Sequence, residues 1–298
     1  MKRKGCMKQK RRITRSRIGL GKEARKRLPV RCLEQRSVAG GGLNRFLLLL
    51  GVLVLSTSHT LLYAGQPLET ETSRLLKARQ FEVENTFERQ LSSEGTETSV
   101  PMAVEYGITD NLELLAEPVF YTAIRPKVGS QATGLGDVEV TLSYLFLHER
   151  SMFPALTTAA EVKIPTANDI LISTKKTDYT GYLIASKRFG KFDTHANIGY
   201  TIIGKPAGVQ LSNIFSFALA EEYHLNERFD IFGEILGNTS SSPEGSENAV
   251  APEAAGGELV GMLGVRYRIQ PHLLLALGVS YDNNNAVLIR PGLTFGFK

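Results

Sequence analysis

Cysteine is nearly absent. Of 298 residues only Cys6 and Cys32 are cysteines, and both precede the one strongly apolar run of the chain. A product that begins after that run carries none, which excludes disulfides, a thiol nucleophile and a Cys-ligated metal. Long apolar runs are missing too: the run itself, Phe46-Leu-Leu-Leu-Leu-Gly-Val-Leu-Val-Leu55, is about half the roughly 20 residues that a membrane-crossing helix needs. No apolar stripe of helical period recurs after it, which excludes an α/β enzyme. Acidic residues are scarce at the start. Up to Arg45 there are 16 of the 35 Lys and Arg but 2 of the 30 Asp and Glu, a balance of +14, so 19 basic and 28 acidic residues, a balance of −9, remain for the rest.

A basic flank, a short apolar core and a small residue at Ala64 compose a secretory signal with cleavage expected after Ala64. The spacing predicts four regions. Residues 1–45 are a basic extension, untranslated or removed with the signal; 46–64 are the signal core and cleavage region; 65–78 are a polar periplasmic lead; 79–298 are a β-barrel. Lys8-Gln-Lys-Arg-Arg-Ile-Thr-Arg-Ser-Arg17 could neutralise phosphates. An arm ahead of an export signal meets no nucleic acid, so none is expected as a partner.

From Gln80 onward the chain alternates. Val287, Ile289, Leu293, Phe295 and Phe297 fall on one face of the last segment, with Leu288, Arg290, Gly292, Thr294 and Gly296 on the other. Similar segments of about ten residues recur about twelve times; Tyr179 to Phe189 is apolar on both faces and its parity stays open. Thr109–Asn111, Gly190–Lys191, Asn226–Arg228 and Gln270–His272 are short connections, whereas 126–136, 166–177, 204–211 and 238–256 are long. This pattern predicts an all-β fold, a transmembrane antiparallel up-and-down barrel of about 12 strands with short periplasmic turns and long extracellular loops. The expected location is the outer membrane of a Gram-negative bacterium. Outer-membrane lipid, lipopolysaccharide and the barrel assembly machinery are partners implied by that class.

A soluble β-sandwich alternates as well, but it explains neither of two collections of residues. Tyr106, Phe146, Phe189, Phe192, Tyr223, Phe229, Tyr267 and Phe297 border the short turns and would form an aromatic girdle at the periplasmic interface. Glu82, Glu84, Glu105, Glu113, Glu117, Glu139, Glu161, Asp193, His195, Arg266, Arg268 and Arg290 fall on the opposite face and would line the lumen. Barrel closure would bring Glu84 or Glu88 to Arg290.

Tyr106-Gly-Ile-Thr-Asp-Asn-Leu-Glu-Leu114, Gly134-Leu-Gly-Asp-Val-Glu-Val140 and Glu161-Val-Lys-Ile-Pro-Thr166 resemble segments of the outer-membrane family named for the MetA pathway of phenol degradation. The resemblance implies a channel or transporter for small molecules, including hydrophobic or aromatic ones. Lys298 after Phe297 departs from the aromatic last residue usual in such barrels. A non-conducting barrel that binds partners through the 238–256 loop is the alternative. A lipid-active enzyme is the third reading, on Thr194-His-Ala-Asn-Ile198, but parity turns His195 and Asn197 to the lumen rather than to lipid. No His, Asp or Glu cluster has metal-ligand spacing along the chain, and no cofactor is expected.

Overall fold

The computed structural model describes residues 68–241 and 257–297. The basic extension, the signal core, the Ala64 cleavage position, most of the 238–256 loop and Lys298 lie outside them. Among the described residues there is no helix. Fourteen strands follow in order: β1 (Phe81–Thr86), β2 (Glu88–Leu91), β3 (Gly95–Thr109), β4 (Leu112–Pro126), β5 (Ala132–Gly134), β6 (Val138–Leu147), β7 (Ala155–Ile164), β8 (Asp178–Phe189), β9 (Phe192–Ile202), β10 (Ile214–His224), β11 (Phe229–Asn238), β12 (Glu258–Gln270), β13 (Leu273–Asp282) and β14 (Val287–Phe297).

The crossing strands pair antiparallel with their neighbours, and β14 returns to pair with β1 and β2, so the barrel closes on itself. Twelve crossings result, because β5 pairs only with β4 in a connection and β1 with β2 is one crossing interrupted at Phe87. The interruption has a cause on each side. Pro291 stands opposite Phe87: its carbonyl accepts from the Phe87 N–H at 3.0 Å, but proline has no N–H to return. On the other side the register with β3 runs unshifted, and Pro101 falls opposite Thr86 with no N–H to offer.

Apolar residues of period two face outward. Leu263, Phe189, Tyr281, Ile235 and Tyr200 are each more than half exposed, which is the surface a lipid bilayer covers. All eight girdle aromatics lie at or near strand ends beside the connections 110–111, 148–154, 190–191, 225–228 and 271–272. Phe189 pairs with Phe192, Phe192 with Tyr223, and Phe229 with Tyr267, so the ring is continued from strand to strand. The other end carries 165–177, 203–213 and 239–257, together with two short connections, 92–94 and 283–286. The parity of β8 is settled: Thr180, Ile184 and Ser186 are buried inward, and Tyr179, Leu183 and Phe189 are exposed outward.

One region departs from expectation. The described part of the periplasmic lead, from Leu68, does not hang below the barrel; it runs inside it. Leu68 clusters with inward Ala220, Phe232 and Met262. Arg79, at φ +66°, makes the reversal that takes the chain from this inner segment into β1, with its N–H donating to the Gly107 carbonyl at 2.7 Å. Gly107 is required there, since a Cβ would lie 2.1 Å from the Lys77 carbonyl oxygen.

Candidate functional site

The inward positions of the strands make a lumen whose wall is unevenly charged. Glu82 and Glu84 on β1, Glu105 on β3, Glu113 and Glu117 on β4, Glu139 on β6, Glu161 on β7 and Asp193 and His195 on β9 are all on inward parity. Arg266 and Arg268 on β12 and Arg290 on β14 come from the closing side. Charged side chains stand here because the outward parity of the same strands is committed to lipid, where a charge costs several kcal/mol.

The inner segment meets this wall residue by residue. Arg290 pairs with Glu69 of the segment and, at 2.8 Å, with Glu88 of β2, so closure does bring Glu88 to Arg290. Thr70 donates through its N–H, at 2.5 Å, and its hydroxyl to Glu234. Asn197, with its amide nitrogen toward the Glu71 carbonyl at 3.0 Å and its oxygen toward the Glu71 N–H at 2.5 Å, grips the backbone as a neighbouring strand would. The Ser73 N–H donates to Ser186 Oγ at 2.8 Å, the Leu76 N–H to Glu113 at 2.6 Å, and Arg74 bridges Asp193 at 2.6 Å and Glu149 at 2.9 Å. Thus contacts from β4, β8, β9, β11 and β14 hold one short extended stretch. It is a plug.

The plug's ionisable groups respond to this setting in opposite ways. Arg290 beside Glu69 holds that carboxyl below its ordinary value. Glu71 is pushed up to about 7, first by enclosure in the barrel and then by the carboxylates of Glu113, Glu161, Glu69 and Glu234. At the short-turn end burial works against Glu149, but hydrogen bonds from the Arg188 N–H, Arg74 and Lys187 outweigh it and lower its carboxyl.

Ser186 Oγ lies 2.8 Å from His195 Nδ1, and His195 Nε2 lies 3.7 Å from Glu222. Ser186 is fully buried and already accepts the Ser73 N–H. The three residues therefore latch the plug rather than face a substrate. Glu222 pairs on its other side with Arg266.

Space remains beside the plug. A cavity of about 380 Å³, open to solvent, is lined by Glu105, Glu113, Glu117, Glu139, Glu161 and Tyr182 among others. A second of about 200 Å³ lies over Glu97, Glu258, Asp282 and Arg290. Glu69, Glu88, Leu236 and Arg290 border both, so the Arg290 pairs form the partition.

Sequence reasoning missed the plug because its polar residues show no period. It missed Ser186 and Ile184 because β8 is apolar on both faces; Ile184 faces the lumen, where its carbonyl accepts from the Ser73 hydroxyl. It passed over Glu222, which has inward parity beside the outward Glu221.

The family described as "Putative MetA-pathway of phenol degradation" matches residues 80–287. Among solved structures, the COG4313 outer membrane channel from Pseudomonas putida F1 has a similar fold, with TM-score 0.61 and 10% identity over 77% of this chain and 100% of that one. The KdgM porin in complex with disordered oligogalacturonate is similar at TM-score 0.50 and 10% identity, over 73% and 99%. Comparison with the curated proteins gives no match.

Proposed function

We propose that this chain, which belongs to the family described as "Putative MetA-pathway of phenol degradation", is an outer-membrane channel for small solutes whose lumen is gated by its own N-terminal segment. The observation that carries this reading is the cavity beside the plug, large enough for a small molecule and lined by eight glutamates, five of them on β3, β4, β6 and β7. Rings and arcs of carboxylates favour cations over anions. The expected solutes are therefore small cations and polar molecules; an apolar aromatic would meet a wall of charge. Similarity of fold to a channel and a porin supports passage as the role. Short turns face the periplasm in such barrels, so the plug enters from the periplasmic end. Catalysis is not part of the reading, since Ser186 and His195 are engaged by each other and by the plug.

A second reading, a barrel that does not conduct, is favoured by the number of strands that hold the plug. Planar-bilayer recording separates the two. The exported chain and a version without residues 66–77 are folded and compared, with heat-modifiable gel mobility as the control. Cation-preferring steps in either support a channel, and steps that enlarge on deletion support the gate. Two folded, silent barrels would overturn it.

A further inference from the structure

One cluster of side chains serves neither the plug nor the wide cavity alone. Glu82 and Glu84 lie on the inward face of β1, and Glu105 is the direct cross-strand partner of Glu82 on β3. Oxygens of the three carboxylates lie within 4.8 Å of one another. Glu82 and Glu84 are each 1% exposed. Neither oxygen of Glu84 has a hydrogen-bond partner among the described residues. Directly opposite Glu84 on β14 stands Thr294, 0% exposed, whose hydroxyl also has no hydrogen-bond partner there. The inward arginines of the closing strands form ion pairs elsewhere, Arg266 with Glu222 and Arg290 with Glu69 and Glu88, and reach Glu84 only by longer-range attraction, without a hydrogen bond to it.

Three carboxylates this close repel one another strongly when ionised, and the Glu84 oxygens, buried without donors, forfeit the hydrogen bonds that water gave them. A cation among them answers both costs. We propose that Glu82, Glu84 and Glu105 bind one hard divalent cation, with the Thr294 hydroxyl at hand as a further ligand. Calcium is the better fit. It accepts six to eight oxygens in irregular arrangement, and three carboxylates can supply up to six. Magnesium demands a near-ideal octahedron, which carboxylates fixed on two paired strands match less well.

The position gives the ion a purpose. β1 is the strand through which the barrel closes, paired with β3 on one side and β14 on the other. One ladder bond is lost just beyond it, at Phe87 opposite Pro291. An ion bridging Glu82 and Glu84 to Glu105, and touching Thr294, ties three strands at that seam. The chain spacing hides this site, because Glu105 reaches it only through strand pairing.

The test uses the exported chain folded in detergent free of lipopolysaccharide, which would itself take up divalent ions. The protein is stripped with EDTA at mildly alkaline pH and titrated with CaCl₂. Bound Ca²⁺ is measured by equilibrium dialysis, and unfolding temperature by heat-modifiable mobility. One Ca²⁺ per chain is expected, with MgCl₂ binding at least about tenfold more weakly. Glu84→Gln should weaken Ca²⁺ binding at least about tenfold, and Glu82→Gln/Glu84→Gln/Glu105→Gln should abolish it. Ca²⁺ should raise the unfolding temperature of the unaltered chain and leave that of the triple variant unmoved. Should the triple variant fail to fold, Glu84→Gln and Glu105→Gln carry the comparison singly. Absence of stoichiometric binding, or binding undiminished in Glu84→Gln, overturns the proposal. So does a stability that answers to pH and not to Ca²⁺, which would mean that the three carboxylates share protons instead.

Discussion

Gly107 shows how much a single position can decide. It belongs to the Tyr106-Gly-Ile-Thr turn segment, but the turn itself falls at residues 110–111 and Gly107 lies within β3, where the register with β4 shifts between Gly107 and Thr109. Its lack of a side chain serves the plug, whose Lys77 carbonyl oxygen occupies the place of a Cβ. Gly107→Ala should therefore dislodge residues 68–77 while the barrel still closes. Opening events in a planar bilayer should become more frequent, with heat-modifiable mobility retained; a folded variant that stays as closed as the parent would contradict the packing. Glu71 makes the plug sensitive to pH. Out of the lumen its carboxyl ionises at the ordinary value, and seated it holds its proton up to about 7. Between those values the seated state binds more protons, so lowering pH favours seating and raising pH through about 7 opposes it. Glu69 acts with the opposite sign, but only below its ordinary value, where protonation would release Arg290. Open probability should thus rise from mildly acid to mildly alkaline pH and fall back in Glu71→Gln, as recorded by single-channel open times.

Among elements, the interrupted first crossing lacks a ladder bond. Phe87 points both its N–H and its carbonyl at β14, and Pro291 can answer only the first. Replacing the proline supplies the missing donor. Pro291→Ala is expected to stabilise the barrel by about 0.5–1.5 kcal/mol, the net worth of one hydrogen bond, read as a higher denaturant midpoint for unfolding. A lower midpoint would mean that the proline's rigidity on the lipid-facing side matters more than the bond. β8 carries a different lesson. Its inward Ile184 reads as a misplaced apolar residue until the plug lies over it, and the inner segment explains why this strand resists assignment from its pattern.

For the whole molecule, the charge asymmetry of the lumen predicts ion preference, and the plug dictates where to probe it. Glu113 is a poor choice because it accepts the Leu76 N–H and helps hold the plug. Glu117 and Glu139 face each other across β4 and β6 beside the wide cavity. Changing both to Gln should move the reversal potential in a KCl gradient toward zero without altering plug release; an unmoved potential would place the ion path elsewhere. How much of this was legible beforehand follows from the range of the forces. Each strand must put one face to lipid and one to the lumen, and that demand is written locally as period two. The barrel, the inward placement of Glu82 through Arg290 and the aromatic ring were therefore readable along the chain. The plug's seat, the Arg290 partition and the Glu82, Glu84 and Glu105 cluster depend on which strands become neighbours and on what their closure encloses. Those contacts join residues up to 221 positions apart, no local period encodes them, and only the closed barrel decides them.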